Sequence, residues 1–168
     1  MSDSLQLTPW PVFSVEAERE IQLTVFDGPV PKARPKAVKY KTTLRLFNPT
    51  KWKEEGFAAN VRATMGGLLG DGTYYDHHFL ELSIHFRFRR PNDHFVGNRQ
   101  NGELKPNLVP FPTVSDVDNL AKFVMDALQG VLYKDDKTIV RLVVEKTWDD
   151  VPTSPGSTTI QVRVVGTK

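Results

Sequence analysis

The stretch from Phe79 to Phe88 (FLELSIHFRF) constrains the fold more than any other part of this sequence. Its apolar and polar residues alternate along the chain. The apolar set is Leu80, Leu82, Ile84, Phe86 and Phe88, and the polar set is Glu81, Ser83, His85 and Arg87. A period of two residues places the two sets on opposite faces of a β-strand. This segment is the clearest strand that the sequence predicts.

A second apolar pattern has the helical period. Beyond Asp118 the apolar positions recur every three or four residues, at Leu120, Phe123, Val124, Ala127, Leu128 and Val131. This stripe predicts a helix from Asp118 to Gln129 that ends at Gly130. Another helix is predicted from Pro49 to about Met65, with Asn48 as its cap and Gly66-Gly67 as its end.

Three further segments predict strands. They are residues 21–26, 138–147 and 158–165, and the sequence TSPGS between the last two is typical of a turn. The fold class expected is therefore α/β (α+β), a small single domain over residues 1–168 with a mixed β-sheet of about four strands packed with two main helices. Residues 1–18 are expected to form a loose arm. Residues 91–112 form a long polar loop without periodicity, and such a loop is usually functional or disordered.

Composition excludes several classes of protein. No apolar run approaches the roughly 20 residues of a membrane helix, and the start MSDSLQLTPWP lacks the features of a signal peptide. The chain has no cysteine, which excludes disulfides, thiolate metal sites and a cysteine nucleophile. We expect a soluble, intracellular (cytoplasmic) protein without a membrane partner.

Basic and acidic residues are segregated along the chain. Eight basic residues and no acidic one lie between Lys32 and Lys53, Arg87, Arg89 and Arg90 form a second cluster, and acids concentrate after Asp116. Such a chain can bind a polyanion with one region and a metal with another, although a solvated surface is the simpler alternative. Prolines at 29, 31 and 35 stiffen the loop that carries the first basic residues.

Five aspartates mark the segment between residues 115 and 140. They are Asp116, Asp118, Asp126, Asp135 and Asp136. Carboxylates are preferred ligands of divalent cations such as Mg²⁺. Each aspartate alone also has a structural explanation, because acids cap helices, favour the positive end of the helix dipole, and can pair with a lysine one turn away, here Lys122.

Chain geometry allows the aspartates to act as a group. The helix from Asp118 to Gln129 rises roughly 18 Å, and an extended return from Gly130 covers roughly 20 Å. Such a return would bring Asp135 and Asp136 to the level of Asp116 and Asp118, where they can share a cation.

Other acidic or metal motifs do not fit the sequence. An EF-hand that began at Asp116 would have Ala121 and Ala127 where the motif needs glycine and glutamate. The histidines at 77, 78, 85 and 94 lack the paired helical spacing of a zinc site.

The combined motif resembles a known family. Its parts are D-x-D-N-x-x-K at residues 116–122, Asp-Ala-Leu at 126–128, Gly130 and Asp135-Asp136. This pattern resembles that of the RusA-type crossover-junction endodeoxyribonucleases, which are Holliday junction resolvases. Residues 28–35 (GPVPKARP) are similar to the amino-terminal loop of many phage-type members. The resemblance is dense over about 25 residues and looser over most of the chain.

The resemblance implies a small α/β homodimer that cuts four-way DNA junctions with Mg²⁺, or with Mn²⁺ as a substitute, in DNA recombination and repair. The essential carboxylates of the family map onto Asp116, Asp118 and Asp136 as catalytic metal ligands. Lys122 maps onto an assisting catalytic lysine, Asp135 is an accessory residue, and Asp126 is structural. The shortest members lack an insertion like the loop at 91–112.

Phosphate contacts are expected from six basic residues: Lys32, Arg34, Lys36, Arg87, Arg89 and Arg90. Contacts of this kind give affinity without reading sequence. Two alternatives remain open, a non-catalytic DNA-binding module and a metal-dependent phosphohydrolase that acts on nucleotides. The basic block argues against the second, because a small substrate needs no such surface. Whether Asp136 completes the site of its own subunit or of the partner also remains open.

Overall fold

The computed structural model describes residues 20–66 and 74–167, so the arm predicted at 1–18 and the predicted helix end at Gly67 lie outside the described residues. The strands are β1 (Glu20–Val25), β2 (Lys36–Tyr40), β3 (Thr43–Phe47), β4 (His78–Phe88), β5 (Ile139–Trp148) and β6 (Gly156–Thr167). The helices are α1 (Lys51–Met65) and α2 (Val117–Leu128). The predicted α+β class, with a mixed four-stranded sheet and two main helices, is confirmed.

The main sheet has the strand order β1-β6-β4-β5, and β2 pairs only with β3 in a separate hairpin. β6 runs antiparallel to both of its neighbours, whereas β4 and β5 are parallel. Two adjacent parallel strands require a connection that travels back along the sheet, and α2 lies within this one. The hairpin of β2 and β3 is an addition that the sequence pattern did not predict.

The core lies between one face of the sheet and the two helices. The predicted apolar face of β4 is buried, and it meets apolar residues of β1 and β6 such as Leu23, Ile160 and Val162. Every residue of the predicted helical stripe, from Leu120 to Val131, is also buried. Phe57 of α1 packs edge-on against Phe123 of α2, with ring centroids 5.8 Å apart. Burial of these two matched faces supplies the main driving force for folding.

The start of α1 differs from the prediction. The residue that precedes the helix is Thr50 rather than Asn48. The side chain of Asn48 instead accepts hydrogen bonds from the backbone N–H of Thr50 at 3.1 Å and from its hydroxyl at 2.9 Å. Asparagine side chains often make such a local turn in place of a helix cap, so the predicted cap lies two residues before the observed start of the helix.

The long loop at 91–112 is anchored to Trp148 at the end of β5. The indole N–H of Trp148 donates to the carbonyl of Val109 at 3.0 Å. The ring of His94 packs edge-on against the indole, with centroids 5.0 Å apart, and Phe95 is buried. Two short 3₁₀ turns, at residues 92–94 and 99–101, supply the regular structure of this loop.

We predict that Gly156→Ala lowers the free energy of unfolding by more than about 2 kcal/mol. Gly156 has a φ of 103°, and a Cβ atom there would lie 2.7 Å from the carbonyl oxygen of Arg87. Urea denaturation of both proteins measures the change.

Gly56→Ala is the matched control, since a Cβ atom at this exposed position of α1 meets no atom within 4 Å. It should raise stability by about 0.5–1 kcal/mol, because alanine favours the helix interior. Equal stability of wild type and Gly156→Ala would contradict the close approach at Gly156.

Candidate functional site

Asp116 and Asp118 lie at the amino end of α2 with their carboxylates exposed. Asp116 has extended backbone angles, with φ −71° and ψ 138°, and its side chain makes no capping hydrogen bond. Among the described residues, the hydrogen-bond partner of its carboxylate is the side-chain amide of Asn119 at 3.5 Å, which is a weak contact. In residues 20–66 and 74–167, neither aspartate forms an ion pair. The alternative that Asp116 serves as a side-chain cap is therefore not supported.

The amino end of α2 favours these negative charges. The unpaired backbone N–H groups of the first helical turn carry a partial positive charge. Asp118 lies within that turn. The two carboxylates thus lie at the positive end of the helix, in contact with solvent and without a competing cation from the described chain.

Lys146 holds the segment that leads into these aspartates. Its ammonium donates a hydrogen bond of 2.6 Å to the carbonyl of Ser115. Lys146 belongs to β5 and lies opposite Phe86, on the face of the sheet that the helices cover. Sequence reasoning missed this residue. The available signal was a lysine in an otherwise apolar alternation, after Leu142 and Val144 and before Trp148.

Lys32 makes contacts that the sequence did not reveal. Its ammonium lies 2.5 Å from Glu54 of α1 and 2.7 Å from Asp126 of α2, and only 13% of its side chain is exposed. Its backbone N–H also donates to the carbonyl of Asn119 at 2.9 Å. Lys32 therefore ties the proline-rich loop to both helices, and its charge is already compensated.

The ionisation of this cluster follows from its contacts. Burial opposes the charge on Lys32, but hydrogen bonds from its ammonium to Asp126 and Glu54 outweigh that effect and raise its pKa. Burial likewise opposes the charge on Glu54, but hydrogen bonds from Lys32, Thr50 and Asn48 lower its pKa. Both groups are therefore charged at neutral pH, and Asp126 has the structural role expected for it.

Lys122 does not make the pairs that its spacing allowed. It is exposed, and within the described chain it forms no ion pair with Asp118 or Asp126. Asp126 contacts Lys32 instead. The ammonium of Lys122 is therefore left at the surface, one helical turn beyond Asp118.

The other predicted phosphate-binding residues lie in two places. Arg34 and Lys36 are exposed, at the end of the proline-rich loop and the start of β2. Arg87 is half-buried on the polar face of β4, and Arg89 is exposed just beyond that strand. Arg90 lies over the Trp148 ring, 5.9 Å from its centroid.

The chain path after α2 corrects the extended return that was expected. A tight turn follows the helix, in which Gly130 donates to the carbonyl of Tyr133 at 2.8 Å and Leu132 to that of Leu128 at 2.9 Å. The hydroxyl of Tyr133 then donates to the carbonyl of Met125 at 2.9 Å. Backbone hydrogen bonds of the turn replace the extended conformation, so the chain stays near the carboxyl end of α2.

Asp135 and Asp136 follow that turn directly. The pKa of Tyr133 is raised by burial and, to a smaller extent, by the charges of Asp136 and Asp126. The hydroxyl of Tyr133 contacts Met125, and Asp136 is only three residues beyond Tyr133, so Asp136 lies near the Asp126 end of the helix. Asp126 is eight residues beyond Asp118, about 12 Å along the helix axis. Within the described residues, no group of three or more His, Asp or Glu side chains is arranged to hold a metal ion.

Asp135 is occupied by a local contact. Its carboxylate accepts the backbone N–H of Lys137 at 3.0 Å, at the start of a 3₁₀ turn over residues 136–138. This hydrogen bond lowers the pKa of Asp135. The contact orients the turn in which Asp136 is the first residue.

Comparison with known proteins identifies the family of this chain. The family model described as Endodeoxyribonuclease RusA matches residues 27–163, which is most of the chain. The chain belongs to the RusA endodeoxyribonuclease family. It is also similar to "Uncharacterized protein YqaN" of Bacillus subtilis (strain 168), with 28% identity over 134 residues that cover 79% of this chain and 90% of that protein.

Membership of the RusA family supports a nuclease that resolves Holliday junctions. RusA-type nucleases are generally dependent on a divalent metal. The matched region includes both the aspartates of α2 and the turn that carries Asp136. None of the helices in the described residues is long and apolar enough to cross a membrane.

We predict that Lys32→Met destabilises this RusA-family fold by about 2–3 kcal/mol, since it leaves a largely buried carboxylate, Glu54, and a half-buried one, Asp126, without their shared cation. Thermal or urea unfolding at neutral pH measures the loss.

Lys137→Met is the control, because Lys137 is 86% exposed and contacts Asp135 at 3.4 Å. Its effect should stay within about 0.5 kcal/mol, as for other surface pairs. If the two variants lose the same free energy of unfolding, the contacts of Lys32 with Glu54 and Asp126 contribute no more than an ordinary surface ion pair.

Proposed function

We propose that this protein is a Mg²⁺-dependent endodeoxyribonuclease that cuts four-way DNA junctions as a homodimer, in recombination and repair. The observation that carries the proposal is the pair of exposed carboxylates, Asp116 and Asp118, at the amino end of α2 in a chain of the RusA family. Neither carboxylate is used for capping or for an ion pair within the described residues. Charges left unpaired in this way are available for a ligand.

The chemistry of this pair fits a hard divalent cation. Carboxylate oxygens suit Mg²⁺, which keeps several of its waters and is commonly bound through one or two carboxylates plus a phosphate of the substrate. A bound Mg²⁺ would make a water molecule more acidic and would stabilise negative charge on the phosphate during hydrolysis. Mn²⁺ has the same preference for oxygen ligands and would serve as a substitute.

The residues of the chain would have separate tasks. Asp116 and Asp118 would hold the metal, and the ammonium of Lys122 would contact the scissile phosphate. Lys146 would keep the segment before Asp116 in place through the Ser115 carbonyl. These contacts act by position and charge, which are the main means of catalysing phosphate-ester chemistry.

Binding of DNA would rest on basic residues at two places. Arg34 and Lys36 would contact phosphates beside the proline-rich loop, and Arg87, Arg89 and Arg90 would contact them at the carboxyl end of β4. Lys32 is left out of this set, because Glu54 and Asp126 already neutralise its charge.

The third ligand, Asp136, would come from the second subunit of a homodimer. The tight turn after α2 keeps Asp136 near the opposite end of the helix from Asp116. A carboxylate in that position would be available to a neighbouring molecule. A two-fold dimer would then have two equivalent sites and would match the two-fold symmetry of a four-way junction. Asp135 would assist by orienting the turn.

Incubation with a synthetic four-way junction and a linear duplex of the same sequence, with and without Mg²⁺, tests the activity. We expect cutting of the junction alone, and only with the metal. Asp118→Asn should lower the rate by at least about a hundredfold while junction binding persists, as expected when a metal ligand is lost.

Asp150→Asn, a change at an exposed carboxylate in the β5–β6 loop, should cut at the wild-type rate. Equal cutting of junction and duplex would exclude the junction specificity. Binding without metal-dependent cutting by any variant would favour a non-catalytic DNA-binding module. Hydrolysis of nucleotides in place of DNA would favour the small-substrate phosphohydrolase.

A mixing experiment tests the shared site. Asp118→Asn and Asp136→Asn should each be inactive alone. If subunits of the two are exchanged, half of the dimers become mixed, and each mixed dimer regains one intact site. Nicking should then return to about a quarter of the wild-type rate. No recovery after verified subunit exchange would show that Asp136 serves its own subunit.

A further inference from the structure

The hairpin of β2 and β3 stands apart from the core. Lys36 pairs with Phe47 at its base and Tyr40 with Thr43 at its tip. The two-residue turn between the strands has Lys41 in the left-handed conformation, with φ 54°, as such tight hairpin turns require. Every side chain described in these strands is exposed, and none belongs to the hydrophobic core.

The pairing register defines two faces of this hairpin. One face carries Ala37, Lys39, Leu44 and Leu46, and the other carries Lys36, Val38, Arg45 and Phe47. Leu44 is 67% exposed and Leu46 is 77% exposed. The two leucines are two residues apart on one strand, so they point to the same face of the hairpin and form an apolar patch there.

A hairpin of this kind is incomplete as an isolated structure. Two strands without a packed face are marginally stable in water, and exposed apolar side chains in a cluster usually mark a contact surface. We therefore expect a partner molecule to bind the hairpin and cover Leu44 and Leu46.

Charge identifies the class of that partner. Between Lys32 and Lys53 the chain has no acidic residue, and the hairpin itself carries the exposed lysines Lys36 and Lys39. Two copies of the hairpin would bring like charges together, whereas a polyanion would neutralise them. Cationic side chains that surround apolar ones are the combination with which proteins bind unstacked nucleic-acid bases.

We propose that the β2–β3 hairpin enters the open centre of branched DNA, where Leu44 and Leu46 contact bases that lack a stacking neighbour. Lys36 and Lys39 bind the flanking phosphates. This proposal rests on the proposed function and adds the element that distinguishes a branch from a duplex. In a linear duplex every base inside the helix is stacked on both sides. No base face is then exposed to the leucines, and only the phosphate contacts remain.

Binding of the full chain to DNA without divalent metal, which prevents cutting, tests the proposal. The probes are a four-way junction with 2-aminopurine at the branch point, the same junction with 2-aminopurine inside an arm, and a linear duplex. Wild type should change the fluorescence at the branch point and not in the arm. The double variant Leu44→Ser/Leu46→Ser should lose that change and bind the junction on the order of tenfold more weakly, with duplex affinity unaltered.

Two matched variants separate charge from apolar contact. Lys36→Gln/Lys39→Gln should weaken binding to junction and duplex alike and should reduce the salt dependence of both by about two phosphate contacts. Val151→Ser removes an apolar side chain that is 56% exposed in the β5–β6 loop and should leave every measurement unchanged. Circular dichroism and melting temperature confirm that each variant is folded.

The outcomes distinguish this proposal from the function on which it rests. If wild type cuts junctions and the double serine variant still binds and reports the branch point like wild type, the hairpin assignment is wrong and the nuclease function stands. If wild type itself does not prefer junctions, both are overturned. If sedimentation shows a wild-type dimer and a monomeric serine variant, the leucines contact a second copy of the chain, and the DNA assignment is wrong.

Discussion

The arrangement of this protein depends on the parallel pairing of β4 with β5. Two parallel neighbours cannot be joined by a short turn, so the chain between them has to return along the sheet, and α2 lies within that connection. The apolar stripe of α2 is buried in the same hydrophobic core as the apolar face of β4. As a consequence, residues just before and just after the helix lie at opposite ends of it. This constraint separates Asp116 from Asp136 and underlies the proposal of a site shared between subunits.

Two lysines hold the surroundings of the site by polar contacts. Lys32 joins the proline-rich loop to Glu54 and Asp126, and Lys146 reaches from β5 to the Ser115 carbonyl. Both ammonium groups are partly buried and contact protein oxygen atoms in place of water. Their removal would therefore leave carboxylates or a carbonyl without a partner. Asp116 and Asp118, by contrast, form no ion pair within the described chain. That difference distinguishes charges that support the fold from charges available to a ligand.

Much of the architecture was predictable from local pattern. The alternation in β4 and the helical stripe of α2 each predict, from residue spacing alone, which face is buried. Both of these faces are buried in the structure. The hairpin of β2 and β3 was not predictable in this way, because all of its described residues are exposed and no alternation separates core from solvent. The assignment of Asn48 as a helix cap was wrong because asparagine serves local turns and caps by the same hydrogen bond.

For the site, the sequence by itself determined which chemistry is available. It provides carboxylates in a D-x-D pattern before a helix, a nearby lysine, and a basic block without acids. The tertiary structure decided which of those charges are already compensated: Lys32 and Asp126 are paired, whereas Asp116 and Asp118 form no ion pair within residues 20–66 and 74–167. It also decided that the return from α2 is a tight turn and not an extended strand. The physical reason is that hydrogen bonds and ion pairs between distant segments depend on the folded path of the chain, which residue spacing alone does not specify.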